Sequence, residues 1–383
     1  MASLVFWAGE VLAGLALLGA GYALAAAFLA DRFMRGRAAG AATYPAVSIL
    51  KPLHLGEPGL SENLESFFAQ DYPGPVQIVF GVHDQNDPAI GIVKALQARY
   101  PERDTVIVAD GALHGSNAKV SNLINMLPAA RHDVLVLSDS DITVSPHWLR
   151  QVTSALAAPG VGLVTCLYTG EVAQDGKGFW STLSAMGTSY DFLPNVVLGT
   201  SLGLAQPCMG STIALRRAML DEIGGFMAFA DYLADDYEIG RAVRVRGHRL
   251  AIPAMGVGHT ATEASARDLF RHELRWTRTI RTVNPLGHLG SVVTFGFPIA
   301  LLSALLLDFS WPSLAIVGVT LAARLFLKYR VDGIFGTYAG PFWLLPVRDL
   351  LSFAVFVASQ FGETVHWRGS RFSVEPSGAL SQS

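Results

Sequence analysis

Asp139 and Asp141 stand two residues apart in Ser138-Asp139-Ser140-Asp141, directly after the unbroken apolar run Val134 to Leu137. Four apolar residues in a row have the length and composition of a buried parallel strand. In an open α/β sheet, the C-terminal edge of such a strand is where ligands bind. Two close ionised carboxylates repel each other, so the pair calls for a cation beside it. Hard divalent ions such as Mg²⁺ or Mn²⁺ prefer carboxylate oxygens and commonly hold a diphosphate at the same time. The pair therefore reads as a metal–nucleotide site with Asp139 and Asp141 as metal ligands. Taken alone, the motif is equally a solvated Asp/Ser turn.

Other candidates are spread along the chain. Asp84 (or Asp87) follows the apolar run Val76 to Val82. Lys119 lies in the Asn-rich stretch Ser116 to Met126 and is a candidate for a diphosphate. Asp235 and Asp236 open a helical pattern, where an acidic first turn suits the helix dipole. His272, Arg275 and Trp276 sit in an aromatic, strongly basic segment from Arg267 to Arg281. Each has a plain alternative. Asp84 or Asp87 can be a turn acid before Pro88, Lys119 a solvated lysine, and Arg275 with Trp276 an interfacial anchor. Cys166 and Cys208 have no metal-type spacing and read as buried thiols.

These groups need elements to position them. Runs at Ala46–Leu50, Val76–Val82, Thr105–Val108 and Val134–Leu137 alternate with helical patterns, which predicts a mostly parallel α/β sheet. Further strands are expected at 162–168, 210–215 and 249–252, and a partly membrane-facing helix at 179–204. Charged residues are 15% of the chain against 51% hydrophobic, so part of it belongs in lipid. The net charge of −3 offers nothing to nucleic acid.

Residues 4–30 are apolar except for Glu10 and long enough to cross a bilayer. Arg32, Arg35 and Arg37 follow, which by the positive-inside rule puts the next domain in the cytoplasm. Apolar segments near 291–307, 311–327 and 342–361 end the chain. Arg348-Asp349 in the last must face protein or the interface, which suggests a re-entrant or tilted path. The expected layout is an N-terminal transmembrane helix (1–31), a linker (32–44), a catalytic domain (45–262), an interfacial amphipathic helix (263–288), two to three C-terminal transmembrane segments (289–362) and a tail (363–383) disordered at its very end.

The order and spacing of these motifs resemble family 2 and family 21 glycosyltransferases of GT-A fold, the group that includes ceramide glucosyltransferase. That pattern has one Asp, a DxD-like motif, a third Asp and (Q/R)xxRW. Here they match Asp84, Asp139 with Asp141, Asp236, and Arg275-Trp276. His272 takes the place of the Gln or Arg. The resemblance implies a UDP-sugar donor, Mg²⁺ or Mn²⁺ at Asp139 and Asp141, and nucleotide contacts from Asp84, Lys119, His272, Arg275 and Trp276. It also implies Asp236 as the base in an inverting displacement. Ser116–Met126, Val164–Gly170 and Arg271–Arg278 further resemble bacterial hopanoid-biosynthesis-associated glycosyltransferases.

The expected reaction is transfer of a sugar, glucose first, to the hydroxyl of a membrane lipid. The acceptor is a ceramide or, in the alternative of an N-acetylglucosaminyl-type transfer, a hopanoid. The protein would sit in a bacterial-type inner membrane with its catalytic domain facing the cytoplasm. A non-catalytic nucleotide-binding membrane scaffold is the reading from another class.

Overall fold

In the computed structural model, residues 2–36, 43–362, 364–367, 370–374 and 380–382 are described. The chain starts with α1 (Ala2–Met34), whose length and apolar character fit a bilayer crossing. The centre of the linker, 37–42, with Arg37, lies outside the described residues.

Then β1 (Val47–Pro52), α2 (Leu60–Phe68), β2 (Val76–Val82), α3 (Ala89–Arg99), β3 (Asp104–Ala109), α4 (Ala118–Met126) and β4 (Val134–Leu137) follow the predicted alternation. Strands β3, β2, β1 and β4 pair in that order, all parallel. Their apolar residues split between two faces. Ile49, Ile78 and Val136 join one buried cluster with Phe67, Phe68 and Trp148. Leu50, Val79 and Leu137 join the other with Val120 and Leu123. A strand buried on both faces has no need of polar alternation, which is why these runs read as continuous.

Next come β5 (Ile142–Thr143), α5 (Trp148–Leu156), β6 (Val161–Thr165), β7 (Leu167–Val172), α6 (Phe179–Gly187) and α7 (Leu193–Ser201). The π-helical turn Thr188–Phe192 joins the last two, so 179–201 is one helical body as expected. The strand expected at 162–168 is in fact two, broken at Cys166. Then follow β8 (Ile213–Arg216), α8 (Arg217–Glu222), α9 (Asp235–Val245), β9 (Arg249–Ala251) and β10 (Gly256–Ala261). Strand β8 enters antiparallel between β4 and β6, and β9 closes the seven-stranded sheet parallel to β6. Strands β5, β10 and β7 form a second sheet.

The helix expected at the interface, α10 (Ala266–Val283), is capped by Ser265, whose hydroxyl accepts from Asp268 N–H. Beyond it lie α11 (Pro285–Gly290), α12 (Gly296–Leu306), α13 (Trp311–Phe335) and α14 (Leu345–Ser359). Helices α1 and α12 cross at small residues. A Cβ on Gly19 would lie 2.5 Å from Gly296 Cα, so only glycine lets the two backbones meet there.

Besides α1, Phe342–Ser359 is long and apolar enough to cross a bilayer, and Pro285–Leu306 adds a third crossing if its bent halves count as one. The bend, 66° at Phe295, falls in the first C-terminal segment and not in the third, where a re-entrant path was expected. Helix α13 continues past the expected end at 327 and buries Arg324 and Lys328. Arg348 and Asp349 are buried too, but they are not each other's partners. Arg348 bonds Glu273 of α10 and Asp191 (Nε–Oδ2 3.2 Å), while Asp349 takes Arg324 at 2.6 Å. Asp191 joins the two halves, 2.6 Å from Arg324. Charge placed among apolar helices is thus met by protein and kept from lipid.

β11 (Thr364–Trp367), β12 (Ser370–Val374) and β13 (Leu380–Gln382) form an antiparallel sheet, with 368–369, 375–379 and Ser383 outside the described residues.

Candidate active site

The chain leaves the sheet at Ser138, whose N–H donates to Leu50 O at 3.1 Å, and the next residue is Asp139. Neighbouring loops converge there because the topology brings β1, β4, α4 and α9 to one sheet edge. Asn117 secures the junction. It caps α4 through Val120 N–H (3.1 Å) and donates to Tyr232 O (2.8 Å) and Asp235 Oδ1 (3.3 Å). That bond sets the first turn of α9 against α4.

Lys119, two residues on, is then placed 2.6 Å from Asp139 Oδ1 and 3.6 Å from Asp235 Oδ2. Burial works against its charge, but Asp139 and Asp235 outweigh burial and raise its pKa. Asp236 turns to the other side, where its Oδ2 accepts from Gly210 N–H at 2.9 Å. Burial and the adjacent Asp235 push the Asp236 carboxyl up to about 6. Gly210 is the floor of this group. A Cβ there would stand 3.0 Å from Asp139 Oδ2, 3.3 Å from Lys119 Nζ and 3.5 Å from Asp236 Oδ2.

Asp141 faces a second cation, with its Oδ2 3.4 Å from His259 Nε2 on β10. Burial opposes its ionisation, yet His259, Lys51 and Lys119 outweigh burial and lower its pKa to about 2. Its Oδ1 is buried without a hydrogen-bond partner among the described residues. Asp139 moves the opposite way, raised by burial and by Asp141 against the pull of Lys119. Lys51 at the end of β1 is 0% exposed. Its ammonium donates to Asp139 O and lies 3.8 Å from the Phe67 ring centre. Burial brings its pKa down to about 7.

The wall opposite is aromatic. Trp276 of α10 lies 5.8 Å from the His259 ring and 4.7 Å from that of His272. His259 also neighbours Tyr168, which stacks on Phe192 at 4.5 Å. His272 Nδ1 is bonded to Glu263. Arg275 is half-buried on the same helix.

Of the predicted residues, Lys119, Asp139 and Asp236 come together directly, with Asp141 beside them and His272 and Trp276 across the wall. Asp84 is exposed at the end of β2, its Oδ1 accepting from Asn86 N–H (2.8 Å). Asp87 accepts from Leu55 N–H and Ala89 N–H at 3.0 and 2.9 Å and is structural. Lys51, Gly210, His259 and Glu263 were not anticipated.

Among the described residues no three His, Cys, Asp or Glu side chains gather to hold a metal ion. Two hard carboxylates, one with an unpartnered buried oxygen, do fit a divalent cation whose remaining ligands come from phosphate and water.

The profile of glycosyl transferase family 21 matches residues 11–380. The chain is 27% identical over 358 residues to ceramide glucosyltransferase 1 of Caenorhabditis elegans, covering 89% of this chain and 74% of the relative. Ceramide glucosyltransferase 3 of the same organism is 28% identical over 362 residues, covering 88% and 74%. A mannosyltransferase from Pyrobaculum calidifontis, solved with GDP-Man and Mn²⁺, superposes with a TM-score of 0.56 at 18% identity, covering 93% of this chain and 99% of that one. The fold is of GT-A type. With nearly its whole length matched, the chain belongs to glycosyl transferase family 21.

Proposed function

We propose that this membrane-associated glycosyltransferase moves glucose from UDP-glucose to the hydroxyl of a ceramide-type lipid with inversion. The observation that carries the reading is Asp236, a carboxylate with its pKa near 6, fixed by Gly210 N–H beside the Lys119–Asp139 pair. A base must be ionised near neutral pH and still be basic enough to take a proton.

In this reading Asp236 removes the hydroxyl proton as the acceptor oxygen forms its bond to the anomeric carbon. The bond from that carbon to the diphosphate oxygen breaks, and UDP leaves. A divalent cation held by Asp139 and Asp141 would neutralise the diphosphate charge. Lys119 adds a second positive charge there, and Arg275 a third. Trp276, Tyr168 and Phe192 form the apolar wall along which a lipid acceptor approaches. Asp84, at the edge of the same sheet, is assigned to the uracil N–H.

Arg32 and Arg35 at the end of α1 support a catalytic domain on the cytoplasmic face of a bacterial inner membrane. The names of the C. elegans relatives support ceramide as acceptor.

The test is UDP release by purified protein, crossing UDP-glucose, UDP-galactose and UDP-N-acetylglucosamine with ceramide and a polyhydroxylated hopanoid, with and without Mn²⁺ or Mg²⁺. Metal-dependent release from UDP-glucose with ceramide is expected. Release only with the hopanoid would replace the acceptor, and release unaffected by chelation would remove the metal.

A further inference from the structure

His272 departs from the Gln or Arg of the motif, and the structure gives it a partner that the motif does not contain. Glu263 lies in the loop between β10 and α10 and is 9% exposed. A carboxylate buried that far is costly unless a cation or strong donors meet it. The group that meets it is His272 Nδ1, nine residues on. Burial pushes the Glu263 carboxyl up, and His272 overrides burial to hold it below the usual carboxylate range. The pair is therefore a buried carboxylate bonded to a ring nitrogen of His272.

The place of this pair is what makes it more than a loop clasp. The imidazole stands edge-on to Trp276 at 82°, and Trp276 also neighbours His259, the partner of Asp141. Charged groups on the surrounding elements are His259 with Asp141 behind it, Glu273 and Arg275 on α10 itself, and Arg348 of α14. Arg348 is taken up by Glu273 and Asp191. With Nδ1 held by Glu263, the ring nitrogen left for a ligand is Nε2.

We propose that Glu263 is a positioning residue that fixes the His272 ring through Nδ1 and so sets its Nε2 toward a phosphate oxygen of the bound nucleoside diphosphate. This rests on the UDP-sugar reading above. A carboxylate on one nitrogen of an imidazole sets the orientation of the ring, so the pair supplies a fixed Nε2 where a lone histidine would not. An arginine or glutamine in that place would donate without help, so the need for Glu263 is a property of the histidine.

That dependence is tested in the full-length protein by a cycle of four proteins: wild type, Glu263→Gln, His272→Arg and the double variant. UDP affinity by titration calorimetry and kcat and KM for the donor are measured in each. Glu263→Gln should weaken UDP binding and lower kcat/KM about tenfold in the wild-type background, and less than about twofold in the His272→Arg background. Should His272→Arg fail to fold, His272→Gln takes its place with the same expectation. Equal losses in both backgrounds would make Glu263 a structural clasp only, and no loss in either would remove it from the site. UDP binding needs neither sugar transfer nor acceptor. Absence of turnover with ceramide would therefore count against the proposed reaction and leave this cycle readable.

Discussion

Glu273 on α10 is hydrogen-bonded to Arg348 on α14, so the helix that carries His272, Arg275 and Trp276 is fastened to an apolar helix by a buried pair. Arg348 also serves Asp191, and its side chain is only 5% exposed. Removing it would strand Glu273, while Asp191 keeps Arg324 at 2.6 Å, and loss of one partner of a buried pair typically costs about 3–5 kcal/mol. Arg348→Leu should lower the thermal midpoint in detergent strongly. Glu273→Gln, which leaves Arg348 its bond to Asp191, should lower it less. An unchanged midpoint for Arg348→Leu would show that the pair does not hold the helices together.

Asp236 gives a pH signature. Its carboxyl is raised to about 6 by burial and Asp235, and the proton must be off for it to act as base. Turnover at saturating substrates should therefore rise with pH through a midpoint near 6. Asp235→Asn removes one raising charge, so the acid limb should move to lower pH. A limb that stays in place in Asp235→Asn would assign it to another group.

Asp236→Asn separates chemistry from binding. Loss of a positioned base costs about 10²–10⁴-fold in rate. Turnover should fall by that order while UDP affinity stays within about twofold. Equal loss of both would mean that Asp236 acts in binding.

Gly210→Ala probes the floor of the site. The backbone conformation there tolerates alanine, but the new Cβ meets Asp139 Oδ2 at 3.0 Å and Lys119 Nζ at 3.3 Å. Both are ends of flexible side chains and can move, so the fold should survive while the site is displaced. Expected are a thermal midpoint within a few degrees of wild type and a kcat lower by at least about tenfold. Normal kinetics would place the donor elsewhere.

His259 should act through Asp141. A partner that orients a metal-binding carboxylate typically changes metal affinity about 10–100-fold when removed. His259→Leu should raise the Mn²⁺ concentration needed for half-maximal UDP release by that order and leave the donor KM at saturating Mn²⁺ little changed. Equal Mn²⁺ dependence would leave His259 a packing residue against Tyr168 and Trp276.

The alternation of β1 to β4 with helices was legible because strands buried on both faces are continuous apolar words, and Asp139 and Asp141 end one of them. Asp236 was legible as an acid at a helix start. The antiparallel entry of β8 was not, since a four-residue apolar run carries no direction. Strand β10, Gly256 to Ala261, has small and polar residues because it lies in the second sheet against the site, and it was missed along with His259. Glu263 and Gly210 belong to no periodic pattern. Their meaning comes only from what the fold sets beside them, His272 in one case and Asp139 with Asp236 in the other. Arg348-Asp349 of α14 was read as foreign to lipid, but the partners of these two residues, Glu273, Asp191 and Arg324, are far away in sequence.

The bond from Glu273 to Arg348 ties chemistry to mechanics. The segment Phe342–Ser359 that contains α14 is long and apolar enough to cross a bilayer, and a bilayer too thick or too thin for such a helix is relieved by tilting. Through the Glu273–Arg348 bond such a tilt would lever α10, and with it Trp276 and His272, against the proposed nucleotide site. Acyl-chain length would thereby become a kinetic variable for the proposed reaction. In vesicles of graded chain length, kcat should peak at one thickness, and Glu273→Gln should flatten the peak.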